Sequence, residues 1–227
     1  MSKKIVSILI SIIVATSLIG CKISGGNVEK KTETTTEDNV NKDDENLEGK
    51  WAKNYTLEET QKVFKEKLSK IENITKELGL KYTLDEKIKE KNINDNSIYF
   101  DNEKPEANKI ESMYFGMKTY GEDLATGDIS LKLSLNFDGE NAMKNNDFDL
   151  GKTSFNSYIE AFTDEKNIDY SDINKEIIDK LKNGDKEIEI NNTIDGLKEE
   201  IIATKELIIY KLSTKKYKFA DAEMSMK

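Results

Sequence analysis

The sequence contains neither histidine nor arginine, and it has one cysteine and one proline among 227 residues. Without histidine there is no Ser-His-Asp or Cys-His arrangement, no imidazole zinc site and no side chain that ordinarily titrates near neutral pH. The absence of arginine removes the planar fork that binds carboxylate or phosphate at two points. Any catalysis would therefore have to proceed without imidazole or guanidinium groups.

The chain is acidic, with 44 Asp and Glu residues against 35 basic residues, all of them lysine, and a formal net charge of −9. Nucleic-acid binding requires concentrated positive charge along the phosphate backbone. The charge balance therefore argues against nucleic acid as a partner.

Residues 1–20 have the three parts of an export signal. Two lysines form a positive head, residues 5–19 are apolar apart from scattered Ser and Thr, and the small Gly20 precedes Cys21. The apolar stretch is shorter than the roughly 20 residues that span a bilayer. This pattern predicts a cleaved signal peptide over residues 1–20, with a buried helix or a retained anchor as the alternative.

The last four residues of this region, Leu18-Ile19-Gly20-Cys21, resemble the lipobox of bacterial lipoproteins. The resemblance covers the signal alone. It implies that Cys21 carries a diacylglycerol thioether, with acyl chains such as palmitate, and becomes the mature N-terminus. Two acyl chains give stable anchoring, so the resemblance implies a lipid-anchored protein of the cell envelope, on the extracytoplasmic side of the cell membrane. A free or buried thiol is the alternative interpretation of Cys21.

Residues 21–50 are polar and predict a lipidated cysteine followed by a disordered tether, which as a flexible coil would average roughly 30 Å in length. The composition changes at Trp51, and residues 51–227 are enough for one domain with a sizeable core. We expect Trp51 to anchor the start of this fold, with a sugar-stacking role as the alternative.

The clearest predicted helix begins with a capping box. Thr56 and Glu59 have the spacing at which each side chain bonds the backbone amide of the other residue. Gly79 is expected to end the helix as a left-handed cap. The expected buried stripe consists of Phe64, Leu68, Ile71, Ile74 and Leu78.

Alternating apolar residues predict strands over residues 98–100, 110–120 and 129–137, each with one buried face. In the adjacent pairs Tyr99-Phe100 and Tyr114-Phe115, one ring should be in the core and the other at the surface. Residues 81–96 have no assignable pattern. Residues 136–151 are expected to form a polar loop.

The second half repeats the order of helices followed by strands. A short helix is predicted around residues 155–162, a second helix capped by Ser171, a strand over 186–190 and a final strand at 217–219. Residues 197–212 fit a helix or a hairpin, and their β-branched content favours the hairpin. The pattern predicts an α+β fold, in which helices pack on one face of an antiparallel sheet. One possible form of this fold has two halves, each with helices followed by strands.

Two local patterns resemble catalytic motifs without completing them. Gly151-Lys152-Thr153 lacks the glycine that a phosphate-binding loop has five positions earlier. Ser213-Thr214-Lys215-Lys216 has the Ser-x-x-Lys spacing of penicillin-recognising enzymes but lacks their companion motifs. We interpret the first as a turn before a helix and the second as the end of a strand.

Asp138, Asp147 and Asp149 are weak candidates for a metal site. Calcium prefers six to eight oxygen ligands, and this acidic region offers several, but its spacing does not match an EF-hand. The favoured interpretation is a polar loop that uses Asp and Asn in turns. The sequence therefore predicts no cofactor and no catalytic residue.

Together these patterns favour a membrane-anchored lipoprotein displaying a non-enzymatic binding domain for a protein, peptide or glycan. One alternative is an exported hydrolase that uses carboxylates and lysine, which a deep cleft with facing carboxylates would favour. Another is a structural subunit of an envelope assembly, which a flat apolar patch would favour. A concave groove with surface aromatics would favour the binding domain.

Overall fold

The computed structural model describes residues 47–90, 93–121 and 124–219. The predicted signal peptide, Cys21 and the tether up to residue 46 lie outside the described residues. The described helices are α1 (Leu57–Glu77), α2 (Gly139–Asn145), α3 (Phe155–Thr163) and α4 (Ser171–Lys182). The described strands are β1 (Thr83–Glu90), β2 (Ile93–Asp101), β3 (Lys109–Tyr120), β4 (Thr126–Asn136), β5 (Ile188–Ile194), β6 (Leu197–Ala203), β7 (Leu207–Ser213) and β8 (Tyr217–Lys218).

The described strands form one antiparallel sheet in the order β1-β2-β3-β4-β7-β6-β5, with β8 pairing with β4. Strands β1 to β4 are joined in sequence, and so are β5 to β7, so the pairing of β4 with β7 is the seam between two halves. Helix α1 precedes the first half, and α2 to α4 precede the second. The predicted α+β fold and its helix-then-strands order are confirmed.

Helices pack against one face of the sheet through aromatic contacts. The ring of Phe115 in β3 stacks on Phe64 of α1, with centroids 5.2 Å apart, and meets Phe162 of α3 edge-on at 5.4 Å. Tyr210 of β7 meets Phe155 of α3 edge-on at 6.2 Å. The two layers therefore share one apolar core, which buries alternate strand residues such as those of β4: Ile129, Leu131, Leu133 and Leu135.

Helix α1 begins and ends as predicted, but its buried stripe differs. The Thr56 Oγ1 accepts from the Glu59 amide at 3.1 Å, the Glu59 carboxylate accepts from the Thr56 amide at 2.9 Å, and Gly79 has a φ of 69°. Leu78 is 44% exposed, so its predicted place in the stripe was wrong, because it follows the last helical turn. The residues of α1 that are buried are Thr60, Phe64, Lys67, Ile71 and Thr75.

Two regions gained structure that the sequence had not predicted. The stretch 81–96, left unassigned, contains β1 (Thr83–Glu90) and the start of β2 at Ile93. The expected polar loop at 136–151 contains α2 and a 3-10 turn over Leu150–Lys152. Both elements are short and largely polar, so they have no apolar period from which they could be predicted.

Residues 197–212 form the predicted hairpin, β6 and β7. No described helix is both long and apolar enough to cross a bilayer.

The chain enters the fold against the turn between β5 and β6. Asp195 and Gly196 have φ values of 48° and 85°, which suit a two-residue hairpin turn. The Trp51 amide donates to the Asp195 carbonyl at 3.0 Å, and the Tyr217 hydroxyl donates to the Trp51 carbonyl at 3.0 Å. A Cβ on Gly196 would lie 2.5 Å from the Ala52 nitrogen, so this turn requires glycine. Trp51 is 1% exposed, which confirms it as an anchor.

Candidate functional site

A groove of about 1110 Å³ lies between α4 and the β5–β6 hairpin. One wall comes from the segment before α4 and from its first turns, and the other comes from the hairpin. Strand β5 forms one edge of the sheet, so its backbone borders the groove over several consecutive residues. The lining residues are Leu47, Ile168, Asp169, Asp172, Ile173, Glu176, residues 190–194 and residues 198–200.

Glu199 lines this groove from the helix-facing side of the sheet. Successive residues of a strand point to opposite faces, and the neighbours of Glu199 at alternate positions, Leu197, Ile201 and Ala203, are buried in the core. Glu199 itself is 3% exposed. The fold thus places a carboxylate in a row of apolar side chains, where an uncompensated charge is costly.

Two neutral groups hold the Glu199 carboxylate. The Tyr210 hydroxyl donates to Oε1, and Asn192 Nδ2, across the strand pair, donates to Oε2 at 3.0 Å. Burial, and then the charge of Glu199, raises the pKa of Tyr210 far above its usual value, so the phenol stays protonated. No lysine among the described residues forms an ion pair with Glu199. Within this described part of the chain, the carboxylate is hydrogen-bonded but has no charged partner.

Tyr170 adds a further polar atom to this region. It is 2% exposed, and its hydroxyl has no hydrogen-bond partner within the described chain. Burial, followed by the charge of Glu199, raises its pKa above the usual value. We refer to Glu199, Tyr210, Asn192 and Tyr170 as the Glu199 cluster.

The rim of the groove is also acidic. Glu176 pairs with Lys180 at 2.6 Å and Glu200 pairs with Lys211 at 2.6 Å, so two of its carboxylates already have lysine partners. The Asp169 carboxylate accepts a hydrogen bond from the Ser171 amide at 2.9 Å, which lowers the pKa of Asp169. The groove suits a ligand that combines a positive group with an apolar body, because its walls carry these acids and four isoleucines. The isoleucines are Ile168, Ile173, Ile190 and Ile194.

The sequence-predicted metal candidates lie away from this groove. Asp138 caps α2 by accepting from the Asn141 amide at 3.0 Å, and Asp149 caps the 3-10 turn by accepting from the Gly151 amide at 3.0 Å. Asp147 is exposed between these two caps. No group of three or more acidic or cysteine side chains in the described ranges is placed to hold a metal ion.

The two incomplete motifs take the local structures expected of them. Gly151 and Lys152 belong to the 3-10 turn, and Thr153 follows it just before α3. Ser213 is the last residue of β7. Both interpretations are confirmed.

The sheet face opposite the helices carries a second polar cluster. Tyr99 is 40% exposed and Tyr114 is half-buried, while Phe100 and Phe115 are in the core, as predicted for these pairs. The Tyr114 ring lies over Gly116, and its hydroxyl donates to the Asp95 carboxylate at 3.0 Å. A Cβ on Gly116 would overlap that hydroxyl, so this arrangement requires glycine.

Sequence reasoning missed the Glu199 cluster. The one available signal was the alternation Leu197, Glu199, Ile201, Ala203, in which an acid occupies an apolar position of a strand. That signal depended on choosing strand for a segment that also fitted a helix. Asn192 and Tyr170 gave no signal, because their proximity to Glu199 comes from tertiary packing.

Comparison with protein-family models, curated proteins and solved structures finds no match to this chain.

Proposed function

We propose that this chain is a bacterial lipoprotein, anchored through Cys21 on the extracytoplasmic side of the cell membrane, whose α+β domain binds a ligand without converting it. The observation that carries the binding role is the groove beside Glu199, whose volume of about 1110 Å³ suits a small molecule or a few residues of a peptide. The anchor rests on Leu18-Ile19-Gly20-Cys21.

The arrangement of polar groups supports holding a ligand in place. Glu199 is fixed by Tyr210 and Asn192, both on strands of the sheet, so its position does not depend on a mobile loop. Rigid elements are the best supports for a binding group, because little side-chain freedom is then lost on association. This is the property expected of a pre-formed binding site.

The anchor is tested by metabolic labelling with an alkyne analogue of palmitate in a bacterial host. We expect the wild-type chain to incorporate label and to remain in the membrane fraction after a salt wash. Cys21→Ala should lose both properties, because the thiol is the atom that is acylated. Ser24→Ala, three residues further on, is the matched control and should behave as the wild type. Unlabelled wild-type protein would overturn the anchor.

The binding role is tested by capture of partners from detergent-solubilised membranes with the full-length lipidated protein. Asp172→Trp places a large side chain in the groove, and Asp179→Trp makes the same change on an exposed position of α4 outside the groove. We expect the first variant alone to lose the captured ligand. Capture that both variants retain would contradict binding in the groove.

The two alternatives predict different outcomes in these experiments. An exported hydrolase is favoured by the presence of carboxylates on both walls, with Asp172 and Glu176 on one and Glu199 on the other. It would release product from a glycan or peptide mixture, and that release would stop in Glu199→Gln. A structural subunit of an envelope assembly would capture a protein partner whether or not the groove is filled.

A further inference from the structure

The Glu199 cluster also indicates what kind of ligand the groove takes. We propose that the ligand carries an alkylammonium group, which binds at the Glu199 carboxylate with its alkyl chain along the isoleucines of the groove. This inference rests on the proposed binding role and adds the chemical class of the ligand: a small organic amine or the lysine side chain of a peptide.

The Glu199 carboxylate has no charged partner among the described residues. The carboxylate is 3% exposed, and its donors among the described residues are neutral, so none of these residues balances its negative charge. Such groups are ordinarily paired with a cation, because hydrogen bonds from neutral groups compensate only part of the lost hydration. An ammonium group bound in the groove would supply the missing charge.

The Glu199 carboxylate can also accept further hydrogen bonds. A carboxylate has about four lone-pair positions, and Tyr210 and Asn192 use one on each oxygen. An ammonium group has three donors and no acceptor, so it matches the unused positions.

Two lysines near the groove are paired with other carboxylates. Lys180 pairs with Glu176 and Lys211 pairs with Glu200. Lys198 also borders the groove, but it precedes Glu199 in β6, so the two side chains leave opposite faces of the sheet. No lysine of the described residues therefore neutralises Glu199, and a ligand can supply that cation.

Strand β5 also lies at the edge of the sheet that the described strands form. A free edge can accept an extended peptide as an added strand, with alternate side chains reaching into adjoining pockets. Residues 190–194 of this strand border the groove. A lysine of an added peptide could therefore enter the groove, while a small amine would need none of the edge contacts.

The probes are chosen to separate charge from shape. n-Butylamine reproduces the lysine side chain, and butan-1-ol has the same alkyl chain with no charge. The peptide Ac-Lys-Ile-Lys-amide is compared with its norleucine analogue. Each is titrated into the full-length protein in detergent, and amide NMR shifts of β5 and β6 report binding. We expect both amines to bind at least about tenfold more tightly than their neutral partners, and added salt to weaken them.

The variants locate the charge that matters. Glu199→Gln should weaken amine binding roughly tenfold to a hundredfold, because a charge-assisted hydrogen bond becomes a neutral one. Glu189→Gln is the matched control on exposed β5 outside the groove lining, and it should change binding by less than about twofold. Equal weakening in the two variants would overturn the assignment to Glu199.

Asp172→Asn keeps the test decisive if Glu199→Gln does not fold. This rim change should weaken amine binding by about two- to fivefold while leaving the butanol titration unchanged. Butan-1-ol or the norleucine peptide binding as tightly as the amines would overturn the ammonium inference but leave the groove as a binding site. If no probe binds, the inference fails, and the Asp172→Trp capture result decides separately whether the proposed function survives.

Discussion

Lys67 of α1 is paired with Asp164, the residue that ends α3, although Lys67 is 1% exposed and Asp164 is 42% exposed. Lys50 and Lys70 also contact the Asp164 carboxylate, at 3.0 Å and 2.9 Å. The Lys67 ammonium lies 6.0 Å from the ring centre of Trp51. One half-exposed carboxylate thus connects the start of the fold, α1 and α3.

We expect Asp164→Asn to lower the free energy of unfolding by roughly 2–4 kcal/mol. The change leaves the Lys67 ammonium buried without a counter-charge, and water reaching Asp164 keeps the loss below that of a fully buried pair. Asparagine tolerates the left-handed backbone of Asp164, whose φ is 65°, so the backbone is spared. Urea denaturation followed by Trp51 fluorescence measures the change, with the exposed Asp185→Asn as control.

The same pair predicts how stability depends on pH. Burial alone would raise the pKa of Asp164, but hydrogen bonds from Lys67, Lys70 and Lys50 outweigh it and hold that pKa well below its usual value. A carboxylate whose pKa is lowered in the folded state stabilises the fold at pH values above its unfolded-state pKa of about 3.9. This stabilisation is lost as the pH falls through the folded-state pKa. The stability difference between the wild type and Asp164→Asn should therefore be constant near pH 7 and shrink below about pH 4. A difference that grew in acid would contradict this assignment.

Lys67→Met should lower the free energy of unfolding far less than Asp164→Asn does. Burial lowers the pKa of Lys67, a direct sign that the charged ammonium is disfavoured there. Methionine has a similar length and no charge, and exchanging a buried ion-pair member for an apolar residue of similar volume is often nearly neutral when no charge is stranded. Asp164, being partly exposed, keeps Lys50 and Lys70. We expect a change within about 1 kcal/mol in the same urea titration; a loss as large as that of Asp164→Asn would show that the ion pair itself stabilises the fold.

Gly116→Ala should destabilise the open face of the sheet by about 1–3 kcal/mol, because the new Cβ displaces the Tyr114 ring and breaks its hydrogen bond to Asp95. In a Tyr114→Ala background the obstacle is gone, and the same change should be neutral or slightly stabilising, since alanine restricts the unfolded chain more than glycine does. Thermal unfolding of the four proteins measures this coupling. Equal losses in both backgrounds would rule out the contact as its cause.

Elements with a clear apolar period were predictable from the sequence. The capping box of Thr56 and Glu59 and the alternation of residues 129–135 gave α1 and β4 nearly at their final bounds. Both signals are local: one depends on neighbouring amides and the other on a single buried face. Strand β1 was not predicted, because it lies at the edge of the sheet and its sequence is largely charged.

The candidate site was less predictable because its chemistry depends on tertiary neighbours. The same holds for the ion pair of Lys67 outside the site, because nothing near Lys67 in the sequence indicates that Asp164, at the end of α3, will reach it. Glu199 likewise becomes unusual only once Tyr210 and Asn192 are folded against it. In an acid-rich chain, the carboxylates that matter are distinguished by burial, which the sequence pattern alone does not supply.

The attachment of residues 50 and 51 to the β5–β6 turn has a mechanical consequence. The Lys50 and Trp51 amides both bond Asp195, and Tyr217 bonds the Trp51 carbonyl. Tension arriving from the N-terminal side therefore loads this turn before it reaches the sheet ladders or α1. Leu47, just ahead of the attachment, lines the groove together with Ile194, so a bound ligand should change the force at which the chain peels away from the domain.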